Sequence, residues 1–503
     1  MGLIQSIKNL FRKGAANIGI VQRLDSVLDH PKISMDPNEY NRIKDSLRRY
    51  EDKYDKVKFM NSNKSNQERD LSSINMMKKV ANQYATVVFN EQCEINIDGE
   101  AAEFISGVFE HNDFKKNFSK YLEPMFALGG LACRPYLDKG SNQIEFSWAL
   151  ADAFYPLQSN TNNISEGAFT FYSSRVENKK PIFYTLIEFH EWVEGNFVIT
   201  NELYRSERSD IVGTKVPVTD LYPDLEESTT FINLSRPLFG YLKPSGFNNI
   251  SPYSPLGLGV CDNCKRTLDR INRSYDEFDQ EIRRGRRRIA ASEMLMNSRV
   301  DEKGHVRQFF DNQEDTFQII PGSNMDDYTI KDLTTSIRTT EYVAAINHHL
   351  KTLEMETALS SGTFNFDRTG SLSTKTATEV VSENSQTYQT RSMQITEVEK
   401  FIKELVISVC ELGKALKLYS GATPMFDEIA IDFKDGASFT STDEKLTFYQ
   451  KLIALGYPTT KAFEKILEVP EETALELYQE GLRLSADKLS GMMNNAGLPE
   501  EME

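Results

Sequence analysis

Residues 283–288 read Arg-Arg-Gly-Arg-Arg-Arg, five guanidinium groups around one glycine, in a chain whose formal net charge at pH 7 is -16. Clustered arginines grip phosphate or carboxylate through paired N–H donors, so nucleic-acid docking and ion pairing with a carboxylate-rich partner both fit. The acidic run Asp276-Glu277-Phe278-Asp279-Gln280-Glu281 lies roughly one and a half helical turns upstream. Two copies of such a helix, offset by about a turn, would set Arg283, Arg284, Arg286, Arg287 and Arg288 of one against Asp276 and Glu277 of the next. Pairing between subunits is the first expectation, docking of DNA or protein the second, and a solvated face the third.

Other candidate chemistry is sparse. Cys261 and Cys264 have CxxC spacing, but no second cysteine or histidine pair stands at finger spacing, so they are expected to be neighbours on a helix rather than a metal or redox site. His348 and His349 fall on an expected helix with no cysteine or carboxylate cluster at ligand spacing. Gly257-Leu258-Gly259 is too short to be a nucleotide fingerprint, and the chain has no GxxxxGK[ST], HExxH or GxSxG motif. None of the 74 acidic residues sits in an apolar run that would tune it for acid–base work. No catalytic residue, metal or cofactor is expected.

The composition agrees. A chain of 503 residues, 39% of them hydrophobic, exceeds what one core fills, which predicts several lobes. With 58 basic against 74 acidic residues it is poorly suited to wrapping DNA, because neutralising phosphate needs an excess of Lys and Arg. No apolar stretch nears the roughly 18 residues that span a bilayer, and MGLIQSIKNLFRKG lacks a signal-peptide core, so a cytosolic protein without membrane contact is expected. Met1-Gly2 with Ser6 matches the myristoylation pattern, but a plain amphipathic first helix is the expectation.

These residues need elements to carry them. The first 85 residues are helical in pattern, notably NEYNRIKDSLRRYEDKYDKVKF, with charges at i,i+4. Residues 86–235 alternate β-branched and aromatic runs with turns such as DKGSN and EGN, which predicts a mostly antiparallel lobe with helices between strands. The connector RPLFGYLKPSGFNNISPYSPLGLG closes that lobe. From Val260 to Asn297 no proline intervenes, and Leu268, Ile271, Tyr275, Phe278, Ile282, Gly285 and Ile289 step by three and four, predicting one 38-residue helix of roughly 57 Å. A small β insertion over 298–332 and a returning helix of about 26 residues make a hairpin with a compact tip. Residues 360–375 lack periodicity and predict a loop. A third long helix running to Gly421, a strand in DEIAIDFKDG and helices from Thr442 to about Leu489 follow.

That order of parts resembles the portal proteins of tailed bacteriophages, in particular those of long-tailed phages of Gram-positive bacteria. The similar stretches are FALGGLACRPYLDKGSNQIEFSWALADAFYPLQ at 126–158, the helix from Val260, KTATEVVSENSQTYQTR at 375–391, and TSTDEKLTFYQKLIALGYPTTKAFEKILEVPEETALELY near the end. The resemblance implies an α+β chain with the phage portal fold: a β-rich wing (1–255, completed by 376–436), stem helices (256–297 and 333–359), a small α/β clip (298–332), a tunnel loop (360–375) and a helical crown (437–503). It implies a ring, usually of twelve subunits, at one capsid vertex, assembled in the host cytoplasm and retained in the virion. It also implies double-stranded DNA passing without sequence specificity, and docking of the large terminase, the head–tail adaptor, the major capsid protein and scaffolding protein. In the loop, Phe364, Phe366, Asp367, Arg368 and Lys375 become the residues expected at the DNA channel. Two other classes stay open: a cytosolic magnesium-dependent nucleic-acid enzyme built from scattered carboxylates, and a coiled-coil adaptor that forms no ring.

Overall fold

The computed structural model describes residues 23–60, 66–89, 93–160, 163–285, 289–292, 298–300, 306–308, 317–320, 331–332, 334–367, 377–433, 442–454, 456–467, 473–481 and 483. The chain divides into two compact units, Met1–Gly370 with Gln386–Lys434, and Ser371–Ser385 with Asp435–Glu503. Helix and antiparallel sheet are mixed, the α+β class.

The first unit begins with a short strand β1 (Arg23–Leu24) and helix α1 (Pro37–Tyr50), whose Asp36 cap accepts the Asn38 N–H at 2.9 Å. The helical pattern of the sequence runs on past this point, but the chain turns at Asp52, which has φ of 58°, and continues as the hairpin β2 (Val57–Met60) and β3 (Asn66–Arg69). Then come α2 (Met76–Val88), β4 (Glu94–Ile97), α3 (Ala101–His111) and α4 (Phe114–Leu128). Strands β5 (Leu131–Asp138) and β6 (Gln143–Leu150) pair, with β13 (Gly240–Leu242) on the far edge of β5.

The larger sheet holds β7 (Phe154–Ser159), β8 (Ile164–Glu177), β9 (Lys180–Val193), β10 (Asn196–Ser206), β11 (Gly213–Val216) and β12 (Ser228–Phe231), all antiparallel, and β1 completes it. The two-residue turn between β8 and β9 holds Asn178 and Lys179 at φ of 50° and 64°, the left-handed pair whose twist matches the flanking strands. Arg134 of β5 and His190 of β9 meet the buried carboxylate of Glu188 on β9, with His190 Nε2 at 2.5 Å among the rings of Phe169, Phe197 and Phe239. Burial pushes the His190 imidazole down, keeping it neutral. Burial alone would raise Glu188, but Arg134 and the His190 hydrogen bond carry it below the ordinary carboxylate range.

The expected 38-residue helix is 20 residues long: α5 runs Lys265–Arg284. Cys261 and Cys264 are not helical neighbours; they lie in the turn that leads into it, both buried. The helix stops at Gly285, where a Cβ would come within 2.7 Å of Ile337 Cγ1. Beyond it the backbone is already extended in β14 (Ile289–Ser292), which pairs in parallel with β17 (Phe317–Ile320) and antiparallel with β18 (Lys331–Asp332). The β insertion therefore begins before residue 298: strand pairing takes Ile289 out of the apolar stripe that the sequence continues. Strands β15 (Ser298–Val300) and β16 (Val306–Gln308) form a separate pair. Helix α6 (Thr339–Glu356), 18 residues, returns along α5, and α7 (Ala377–Ala415), 39 residues, ends six residues before Gly421 as Lys417 turns to φ of 60°. Strand β19 (Ile429–Asp432) goes back to pair with β4. The second unit holds α8 (Thr442–Ala454), α9 (Thr459–Leu467) and a helix over 473–481.

One junction ties the amino-terminal lobe to the entry of α5. Gly129, at φ of 90°, ends α4, and a Cβ on it would lie 2.6 Å from Gly257 O and Gly259 N. Val260 donates its N–H to Phe126 O at 2.8 Å, so two backbones cross in contact. The Gly257-Leu258-Gly259 pair is explained by this crossing. Beside it, buried Arg42 reaches Asp262, both oxygens of Glu39 at 3.1 Å and Gly257 O at 3.0 Å. Asp262 also accepts from Ser46 Oγ and Gly259 N, each at 2.7 Å. Replacing one partner of a buried, fully bonded ion pair strands the other without solvent, at a cost of roughly 3–5 kcal/mol. Asp262→Ala should therefore lower stability to urea by about 3 kcal/mol, whereas Asp269→Ala, which removes a more exposed arginine partner, should cost under about 1 kcal/mol. Equal effects of the two substitutions would show that the junction is not the anchor.

Candidate functional site

Helices α5 and α6 pack antiparallel, closed at one end by Leu268, Ile271, Ile346, Leu350 and Leu353, all buried. Toward the other end the shared face opens: Phe278 stacks on Tyr342 at 5.5 Å, while Ile282 is 46% exposed. Arg338, just before α6, clasps Glu281 with two bonds of 3.1 and 3.0 Å.

The acidic block is largely engaged within its own chain. Asp276 is buried and takes both Arg69 guanidinium nitrogens at 2.5 Å and the Ser72 N–H at 3.0 Å. The Arg69 bonds hold its carboxyl below the usual range against the opposing effect of burial. Asp276 is thus not the free acid expected to face a neighbouring subunit. Asp279 accepts from Ser72 Oγ at 3.0 Å and pairs with Arg283 four residues on. Glu277 is exposed, and Arg284 is exposed at the helix end. Arg286, Arg287 and Arg288 lie outside the described residues.

The arginine run is the end of a longer feature of α5. Arg266, Arg270, Arg273, Glu277 and Arg284 are all exposed and stand at i, i+4, i+7, i+11 and i+18, within about 40° of one helix face. This stripe of four arginines and one carboxylate was legible as the complement of the apolar stripe. His348 and His349, 5.6 Å apart by ring centroid, lie on α6, and burial together with His348 and Arg270 pushes His349 below its ordinary value.

Where α6 ends, the backbone is fastened from both sides. Buried Glu354 accepts the N–H groups of Gly362 at 2.9 Å and Phe364 at 2.5 Å, and Asn347 Oδ1 accepts that of Phe366 at 2.9 Å. Ser360 and Thr387 exchange backbone-to-hydroxyl bonds of 2.9 and 3.1 Å, and Thr390 Oγ1 donates to Ala358 O at 2.8 Å. Tyr84 Oη donates to Thr357 O. Residues 357–366 are therefore held by α2, α6 and α7 rather than hanging free, and sequence reasoning missed Glu354 and Asn347 because both look like ordinary helix-surface polar residues. Of the five loop residues, Phe364 is half-buried against the main core, which withdraws it from the exposed set. Phe366 is 37% exposed, its ring edge-on to Tyr275 at 6.1 Å, and the Asp367 N–H is turned back to Asn365 Oδ1 at 3.1 Å. Arg368 and Lys375 lie outside the described residues.

A family model described as "Phage portal protein, SPP1 Gp6-like" matches residues 29–483. No curated protein sequence matches the chain. Similar solved structures include a chain of the "Neck of empty GTA particle computed with C6 symmetry", with a TM-score of 0.36 and 11% identity over 78% of this chain and 88% of that one. A chain of the "Virion of native gene transfer agent (GTA) particle" has a TM-score of 0.35 and 11% identity over the same shares.

Glu354 supplies two charge-assisted bonds to the backbone of the loop base. In Glu354→Ala, with about 2 kcal/mol removed from local opening, amide exchange at Gly362 and Phe364 should quicken roughly thirtyfold while the β9–β10 amides stay unchanged. Unaltered exchange at those two amides would place the anchor elsewhere.

Proposed function

Since the chain belongs to the SPP1 Gp6-like family of phage portal proteins, we propose that it forms a ring, usually of twelve subunits, at one vertex of a capsid and serves as the channel for double-stranded DNA. The family match over residues 29–483 carries this reading. Membership in a portal family supports a structural role in a virion, over a magnesium-dependent nucleic-acid enzyme or a non-ring adaptor. The order of segments that resembles portals of long-tailed phages of Gram-positive bacteria extends the proposal to that group.

Within the proposed ring, the lobe up to residue 255 with β19 acts as wing, α5 and α6 as stem, the small sheets of 289–332 as clip, and the helices after 437 as crown. The clip and its surroundings dock the terminase and then the head–tail adaptor, and the outer surface meets the capsid and scaffolding proteins. Electrostatics supports passage of DNA rather than retention. Twelve copies carry twelve times the formal charge of -16, a wall that repels phosphate over most of its area. Sequence-independent contact is left to the loop, where Phe366, Asp367, Arg368 and Lys375 are proposed to touch the duplex, and the rigid loop base set by Glu354 keeps that contact at a fixed radius.

The arginine stripe of α5 and the run 283–288 are proposed to hold neighbouring subunits in register, with Glu277 as the acid free to answer them. Negative-stain imaging and mass measurement of the purified chain should give annular particles near twelve times 57.4 kDa. A stable dimer with no larger assembly at high concentration would overturn the ring. Charge reversal of Arg286 and Arg287 should lower the ring fraction at least tenfold, and Glu277→Arg in the same chain should restore part of it. Normal rings that fail to package DNA would instead assign these arginines to docking.

A further inference from the structure

Two small sheets of the first unit have two strands each among the described residues. β2 and β3 form a hairpin whose side chains are mostly exposed, with Phe59 41% and Met60 65% accessible. Its base is fixed by Arg69 on Asp276, but a two-stranded hairpin with no further cover is at best marginally stable in water. β4 pairs with β19 along one edge. Asp98 N–H donates to Glu428 O at 3.0 Å, so by strand alternation the backbone groups of Ile95 and Ile97 point to the opposite edge. That edge borders an open groove of about 970 Å³ between β4, α3 and the start of α4, with Ile105, Phe109 and Phe114 among its lining and Glu94, Asp98 and Glu110 also on its walls.

We propose that this groove receives the β2–β3 hairpin of a second copy of the chain, β2 adding to β4 as a third strand. The patterns match over three residues, with Met60 on the Lys58 face outside the match. Val57 and Phe59 alternate with Lys58, as Ile95 and Ile97 alternate with Glu94 and Asn96. Added edge to edge, the apolar set of each strand falls on the groove side, and Lys58 falls on the face of Glu94. Joining turns the two pairs into one four-stranded sheet and removes an exposed edge from each. The occupant is another copy and not the chain's own hairpin, because within the chain β2 pairs with β3 and the hairpin's base is tied to α5 through Arg69 and Asp276. A contact between two different patches is head-to-tail, the kind that closes into a ring when the rotation between copies allows it, so the inference rests on the ring reading and gives it an interface in the wing.

All five cysteines are buried, so Lys58→Cys combined with Glu94→Cys, or with Asn96→Cys, supplies the exposed thiols. Oxidation of assembled protein should give a covalent ladder reaching beyond the dimer for one of these two pairs, and no ladder for any single substitution. Phe59→Asp, on an exposed side chain, should lower assembly at least tenfold with an unchanged thermal midpoint. Rings from which neither pair yields a ladder would overturn the strand contact while leaving the ring intact. Products that stop at the dimer would replace it with a two-fold contact. A wild-type chain that forms no rings at all would overturn the ring reading and this contact together.

Discussion

Everything in the first unit depends on how closely two backbones pass each other at Gly129, Gly257 and Gly259. A side chain at any of the three would collide with the main chain opposite, and the crossing fixes where the connector leaves the amino-terminal lobe. Arg42 then locks the crossing, because its charge is out of water and is neutralised, among the described residues, by Glu39 from its own helix and Asp262 from the connector. Asp262 stands three residues before α5 begins. The direction of α5, and with it the position of the small sheets at its far end, is therefore set by one buried charge cluster rather than by the helix packing alone.

This arrangement explains why some features were legible in the sequence and others not. The antiparallel lobe was readable because alternation and turn residues state it locally, as at Asn178-Lys179. The 38-residue helix was over-read because the apolar spacing continues through Gly285 to Ile289, while strand pairing with Phe317–Ile320, more than two dozen residues away in sequence, ends it. The Gly257-Leu258-Gly259 pair was dismissed as a weak nucleotide motif, and its steric role requires knowing that α4 ends against it. Glu354 and Asn347 offered no local signal at all: their partners are backbone N–H groups, which every sequence possesses.

The loop base shows how a structural residue can matter for a contact that it does not make. Phe364 was expected among the channel-facing side chains, yet its N–H is held by buried Glu354 and its ring faces the core. That inward turn leaves Phe366 as the exposed ring of the pair, propped edge-on by Tyr275 of α5. The same helix that carries the arginines thus also positions the loop, so a displacement of α5 would reach the loop through Tyr275 as well as through α6.

Charge distribution is more informative here than net charge. By sequence the acidic block of α5 is the counterweight of the arginine run, but Asp276 is bound by Arg69, Asp279 by Arg283 and Ser72, and Glu281 by Arg338. With those three acids engaged inside the chain, Glu277 is left to face outward beside Arg266, Arg270, Arg273 and Arg284. A chain with a formal charge of -16 therefore presents a locally basic helix face. Such a face is stable next to water and more stable next to negative charge, and the rest of the chain supplies that in excess. Because Coulomb attraction between exposed groups fades within about 8–10 Å at physiological salt, any acid that answers these arginines must come close to this helix face.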